Sequence, residues 1–280
     1  MTRSNVHSVG LVAALRAELA PLLRSLSCRR VINKEHGFSL YRCVTAHKGA
    51  LLLVETGMGA ERAVAGVRWL LKHFEPGLLI SMGFSGGLTE NLEPGDTIYG
   101  IRSVPYDVGS NSLGRVCDLT AGSLGSSPPS WLHPGTIITS STPAGKRKLM
   151  QILPNEWNPA VVDMETAHLA SVAKASATPF IAVRSVCDEL GMEPNLNLEK
   201  LTDERGRVRL QKVFRYALSE PAIIIRMARL ARRSRAAARA LERTVTAILK
   251  DYLPGFPAAS GLAPTAHAEA DSGKPDVAKG

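Results

Sequence analysis

Between residues 9 and 186 the chain alternates short, unbroken apolar runs with segments of helical spacing. Val9 to Ala14, Leu51 to Glu55, Leu78 to Met82, Thr136 to Thr139, Ala160 to Val162 and Pro179 to Val186 read as strands. None shows the in-out alternation of a strand with one wet face. Unbroken runs require cover on both faces, so the pattern predicts a mostly parallel sheet between two helical layers. The helices expected between the strands are Glu18 to about Leu26, Ala60 to His73, Ala144 to Leu153 and a segment opening at Glu165. In the second of these, Val64, Val67, Leu70 and Leu71 fall at helical spacing. Ser39 to Ala46 adds a strand, and so does Thr97 to Ile101.

Other stretches read differently. Gly83-Phe84-Ser85-Gly86-Gly87 reads as a glycine-rich loop after a strand, and about 105–134 as a long irregular loop. Ser140 to Pro143 supplies capping residues for the helix that follows it. Further helices are expected over Val208 to Leu218 and Pro221 to Leu249. Residues 254–280 are Ala, Gly, Pro and Ser with scattered charge, too little apolar material to order themselves. The expected organisation is one domain over 1–253, a basic helix at about 221–250, and a disordered tail over 254–280.

At 280 residues, 45% of them hydrophobic, the chain can bury a sizeable core. Four cysteines, at 28, 43, 117 and 187, lack CxxC spacing. They read as reduced thiols in a cytoplasmic protein, not as zinc ligands or a disulfide framework. Val9 to Leu15 is too short for a leader and is broken by Arg16 and Glu18. Much of the net charge of +9 lies in Arg226 to Lys250. That segment is basic and amphipathic, which leaves open a solvated helix face, packing on the core or a second subunit, and peripheral contact with an anionic membrane. Nucleic acid is not expected, because no recognised motif or aromatic platform accompanies the charge.

Two acidic clusters stand at the ends of apolar runs: Asp163-Met164-Glu165, and Asp188 after Arg184-Ser185-Val186-Cys187. Acids delivered to the ends of neighbouring strands meet in the crevice where such sheets hold ligands. Taken with Val9 to Glu18, Gly57-Met58-Gly59, Gly83 to Leu88 and Gly95-Asp96, they carry a resemblance. The chain resembles the nucleoside phosphorylase and nucleosidase superfamily, on the branch of 5′-methylthioadenosine/S-adenosylhomocysteine nucleosidases. A second likeness is to the hopanoid-associated phosphorylases, through Thr142 to Leu149 and the basic stretch Leu230 to Arg235.

The resemblance implies a phosphorylase/hydrolase-like fold: three layers, α/β/α, around a central mixed, mostly parallel twisted sheet. It implies a homodimer acting on a small-molecule nucleoside, with no cofactor and no metal. It makes Asp188 the proton donor to purine N7 and Glu18 the base that activates water. Glu165 would hold the ribose hydroxyls, Met164 would pack on the ribose, and Gly83 and Phe84 would lie along the sugar. Arg184 would position Glu18 or Asp188.

Phe84 stands where nucleosidases usually carry serine, which suits a greasier 5′ substituent. Leu79 to Met82 lacks the phosphate-binding arginine of the phosphorylases, which favours water as nucleophile, while Arg62 keeps phosphate open. The leading expectation is hydrolytic release of adenine from a 5′-substituted adenosine. The alternatives are adenine removal from adenosylhopane, and a non-catalytic nucleoside-binding protein. Read from local sequence alone, Glu18 and Glu165 are equally helix N-terminal acids favoured by the dipole, and Asp163 is a helix cap.

Overall fold

The computed structural model describes residues 8–31, 37–43, 50–120, 132–142, 145–188 and 222–252. The expected helix at 208–218 and the expected tail at 254–280 lie outside these. Strands are β1 (Ser8–Ala13), β2 (Cys28–Val31), β3 (Ser39–Cys43), β4 (Ala50–Glu55), β5 (Leu78–Gly87), β6 (Thr97–Asp107), β7 (Ser112–Leu113), β8 (Cys117–Asp118), β9 (His133–Ser140), β10 (Ala160–Asp163) and β11 (Phe180–Asp188). Helices are α1 (Arg16–Ser25), α2 (Ala60–Phe74), α3 (Lys146–Ile152), α4 (Thr166–Ala175) and α5 (Ala222–Tyr252).

The strands form one sheet in the order β10-β9-β6-β11-β5-β1-β4-β3-β2. Parallel ladders join β4 to β1, β1 to β5 and β5 to β11, and also β6 to β9 and β9 to β10. Antiparallel ladders join β6 to β11 and add β3 and β2 at the margin. In addition, Val161 and Val162 of β10 pair with Gly87 and Gly86 at the far end of β5. Strands β5, β11, β6, β9 and β10 thereby close into a ring.

Alternate residues of each run serve opposite layers, which is why the runs are unbroken. Val9, Leu11, Leu78, Ile80, Ile181 and Val183 pack with Leu19 and Leu22 of α1 and with Leu241, Val245 and Ile248 of α5. Val12, Val54, Leu79 and Ala182 pack with Ala63, Val67 and Leu70 of α2 and with Leu169 and Ala173 of α4. A third cluster, with Leu88, Val104 and Ile138, receives Leu149 of α3.

Several expectations change. The glycine-rich segment 83–87 is not a loop but the second half of β5. Part of the expected loop at 105–134 is strand: β6 runs on to Asp107, and β7 and β8 pair back onto it. Helix α3 begins at Lys146 behind Gly145, with no side-chain cap from the Ser/Thr segment. Cys28 and Cys43 are not free thiols. They are register partners on antiparallel β2 and β3 and form a disulfide, with Cα atoms 3.9 Å apart. Leu241, Val245 and Ile248 of α5 pack into the core, while Arg232, Arg235, Arg239 and Arg243 are exposed. No helix among the described residues is long and apolar enough to cross a membrane.

Candidate active site

The site forms where the C-terminal ends of β1, β5, β10 and β11 converge. Glu18 stands in the first turn of α1, immediately after β1. Its carboxylate does what a helix-start acid does: the Leu15 N–H donates to Oε2 at 2.8 Å. The other oxygen, Oε1, accepts the Phe84 N–H at 2.8 Å, a contact spanning 66 residues. Glu18 is therefore both a helix acid and a wall of the site. It is 3% exposed. Burial pushes its carboxyl up to about 7, against the opposing pull of the two backbone amides, and the neighbouring Glu165 carboxylate pushes the same way.

Gly83 lies under this carboxylate. A Cβ there would come within 3.2 Å of Glu18 Oε1. Glu165 is the N-cap residue of α4 and lies outside the helix proper. Its Oε1 accepts the Gly59 N–H at 3.1 Å. Gly59 holds a positive φ of 100° at the start of α2, a conformation that costs a side-chain-bearing residue dearly. Burial, then the charge of Asp163, raises the Glu165 carboxyl above its ordinary value. Glu18, Gly83, Glu165 and Arg184 line one small cavity of ≈ 10 Å³, about the space of a single water, together with Ser81 and Met82.

The hydrogen bonds of Arg184 go to Asp163 and to backbone and side-chain oxygens around Ser81, not to Glu18 or Asp188. It is 2% exposed, and its guanidinium donates to Asp163 Oδ2 at 2.7 Å, to Ser81 Oγ at 2.8 Å and to the Ser81 carbonyl at 3.1 Å. Asp163 also accepts from Thr139 Oγ1 at 2.7 Å and from the Thr166 N–H at 3.0 Å, so it caps α4 while neutralising Arg184. Through space, the guanidinium charge favours ionisation of both Glu18 and Glu165. It is the counter-ion of the floor of the site.

Asp188 ends β11, opposite Gly86, just after a register shift between Val186 and Asp188. Such a bulge re-aims the residue that follows it. The carboxylate is 23% exposed and forms an ion pair with Lys146 Nζ at 2.5 Å. The same ammonium donates to the Asp188 carbonyl at 3.1 Å. The Cys187 thiol, pushed up chiefly by burial, approaches Asp188 Oδ1 at 3.5 Å. Phe84 and Met164 are half-buried. Asp188, Phe84 and Met164 do not line the cavity.

Sequence reasoning missed Lys146 as a site residue. It stands in Lys146-Arg147-Lys148, where no spacing marks one cation as inward. It missed Ser81 and Thr139 too, as each looks like an ordinary strand residue. Among the described residues, no group of three or more His, Cys, Asp or Glu side chains could hold a metal.

A mixed sheet between two helical layers, with acids at converging strand ends, defines an α/β protein with a candidate site at the ends of its strands. The Phosphorylase superfamily model matches residues 8–219, and the chain belongs to that family. It is 23% identical over 217 residues to a 5′-methylthioadenosine/S-adenosylhomocysteine nucleosidase from an Exiguobacterium species, covering 70% of this chain and 91% of that one. The same enzyme of Actinobacillus succinogenes is 25% identical over 209 residues, at 69% and 90% coverage. Among solved structures, the apo 5′-methylthioadenosine nucleosidase of Arabidopsis thaliana superposes with a TM-score of 0.64 at 17% identity, covering 89% of this chain and 97% of that one. The futalosine hydrolase of Helicobacter pylori superposes at 0.57 and 18% identity, covering 86% and 97%. These structures share the fold.

Proposed function

We propose that the protein hydrolyses the N-glycosidic bond of a 5′-substituted adenosine of the methylthioadenosine/S-adenosylhomocysteine type, releasing adenine. The observation that carries this reading is the unlike setting of two acids at converging strand ends. Glu18 sits dry, with its carboxyl raised to about 7, the range a general base needs near neutral pH. Asp188 sits partly exposed and ion-paired. Environments that separate the behaviour of two carboxyl groups divide acid and base work between them.

In the proposed reaction Asp188 protonates purine N7 and Glu18 takes a proton from the attacking water. Glu165 holds the ribose hydroxyls, with Met164, Gly83 and Phe84 along the sugar. Negative charge from Glu18 and Glu165 favours the positive charge that develops on the sugar. The names of the relatives support this reading, as does the absence of an arginine in Leu79 to Met82.

The test is adenine release from 5′-methylthioadenosine, S-adenosylhomocysteine and adenosine, each with and without phosphate. Release without phosphate from the thio-substituted nucleosides is expected. Release only with phosphate would reassign the nucleophile. Glu18→Gln and Asp188→Asn should each lose at least about 100-fold in kcat while remaining folded. Near-wild-type turnover in either removes that residue from the mechanism.

A further inference from the structure

We infer that Lys146 is a positioning residue for departure of the purine: it fixes the Asp188 carboxyl at the base side of the site and balances the charge left there once the proton has gone. The inference rests on the hydrolytic reading above and assigns a residue that reading does not use.

Three observations carry it. Lys146 is 4% exposed, an unusual place for an ammonium unless it is paired. Its Nζ donates both to Asp188 Oδ2 and to the Asp188 backbone carbonyl, so the residue is gripped at two points. The lysine stem also crosses β5 where a side chain has been left out. A Cβ on Gly86 would lie 2.7 Å from Lys146 Cε and 3.0 Å from Nζ. Gly86 is the register partner of both Asp188 and Val162, so the ammonium sits over the strand that separates the two acidic walls.

The chemistry follows from this placement. As the C1′–N9 bond breaks, its electron pair moves into the purine. The Asp188 carboxylate, ion-paired with Lys146 in this structure, takes up a proton from solvent as the purine binds; that proton then passes to N7 and the carboxylate re-forms in a partly dry crevice. The water oxygen bonds to C1′ and its proton passes to Glu18. Both acids then exchange protons with solvent. The ammonium at Asp188 Oδ2 stabilises the carboxylate as it forms, so it matters only when the leaving group needs a proton.

The experiment compares two substrates with the full chain: 5′-methylthioadenosine, and a 5-methylthioriboside with a 4-nitrophenyl leaving group, which departs unprotonated. Lys146→Met should lose about 100-fold in kcat on the adenine substrate and stay within about threefold on the nitrophenyl one. Lys146→Arg should regain at least about tenfold over Lys146→Met. Gly86→Ala, which displaces the ammonium while keeping it in the chain, should show the same leaving-group split and covers the case in which Lys146→Met does not fold. Equal losses on both substrates, or none on the adenine substrate, overturn the inference while wild-type turnover still upholds the function. A wild-type protein inert towards both substrates sinks the function and the inference with it.

Discussion

Glu18 shows how one side chain links fold and chemistry. It closes the first turn of α1, it receives a backbone amide from β5, and burial raises its carboxyl from 4.5 to about 7. A carboxyl raised by folding contributes stability that is fully present below its unfolded value. That contribution is lost as pH climbs through the folded value, here between 4.5 and about 7. Above 7 the native state therefore holds a buried carboxylate at a cost of about 3 kcal/mol. Glu18→Gln should gain stability relative to wild type by up to that amount between pH 4 and pH 8, read as the change in urea midpoint at the two pH values. A pH-independent difference would mean that Glu18 is solvated in solution. The acids at the site were legible in the sequence because a carboxylate at the end of an apolar run is conspicuous. Lys146 was not, because burial of a cation is decided by Asp188 and Gly86, which lie 42 and 60 positions away from it.

At the scale of elements, the centre of the sheet was readable and its margins were not. Leu51 to Glu55 and Leu78 to Met82 announce themselves because both faces are dry. β6 continues past Pro105, where the loop was expected to start, and pairs with β9 as far as Tyr106↔Ser140. Proline in a strand normally argues against the assignment; here the Pro105 carbonyl still accepts the Gly114 N–H at 2.8 Å. β2 was missed because Cys28 to Val31 is mostly exposed and carries two arginines. The joint between β9 and β10 depends on Gly135, where a Cβ would fall 2.5 Å from the Pro159 carbonyl oxygen and 2.9 Å from Ile98 Cγ2. Backbone cannot yield as a flexible side chain does, so Gly135→Ala should destabilise by about 1–3 kcal/mol. Denaturant unfolding measures this, and a change under about 0.5 kcal/mol would show that the joint has slack.

For the molecule as a whole, doubly covered layering was legible from the apolar runs, but the closed ring was not. Its sealing contact joins Val161-Val162 to Gly86-Gly87, and nothing in either short segment names the other. That closure has a consequence for how copies of the chain meet in a crowded solution. A strand ending a sheet offers unpaired backbone to any similar strand. Because β10 pairs back onto β5 through Val161 and Val162, that end of the main strand path is closed there, and among the described residues β2 is its other margin. Arg29 and Arg30 stand exposed or nearly so on β2, with Val31 41% exposed beside them. Two such margins approaching each other bring like charges together before their backbones can pair. Replacing both arginines with valine should leave the fold intact and increase light scattering on incubation at high protein concentration; unchanged scattering would mean that something else guards the margin. Among the described residues, the main strand path thus ends on one four-residue strand, and that strand is cationic.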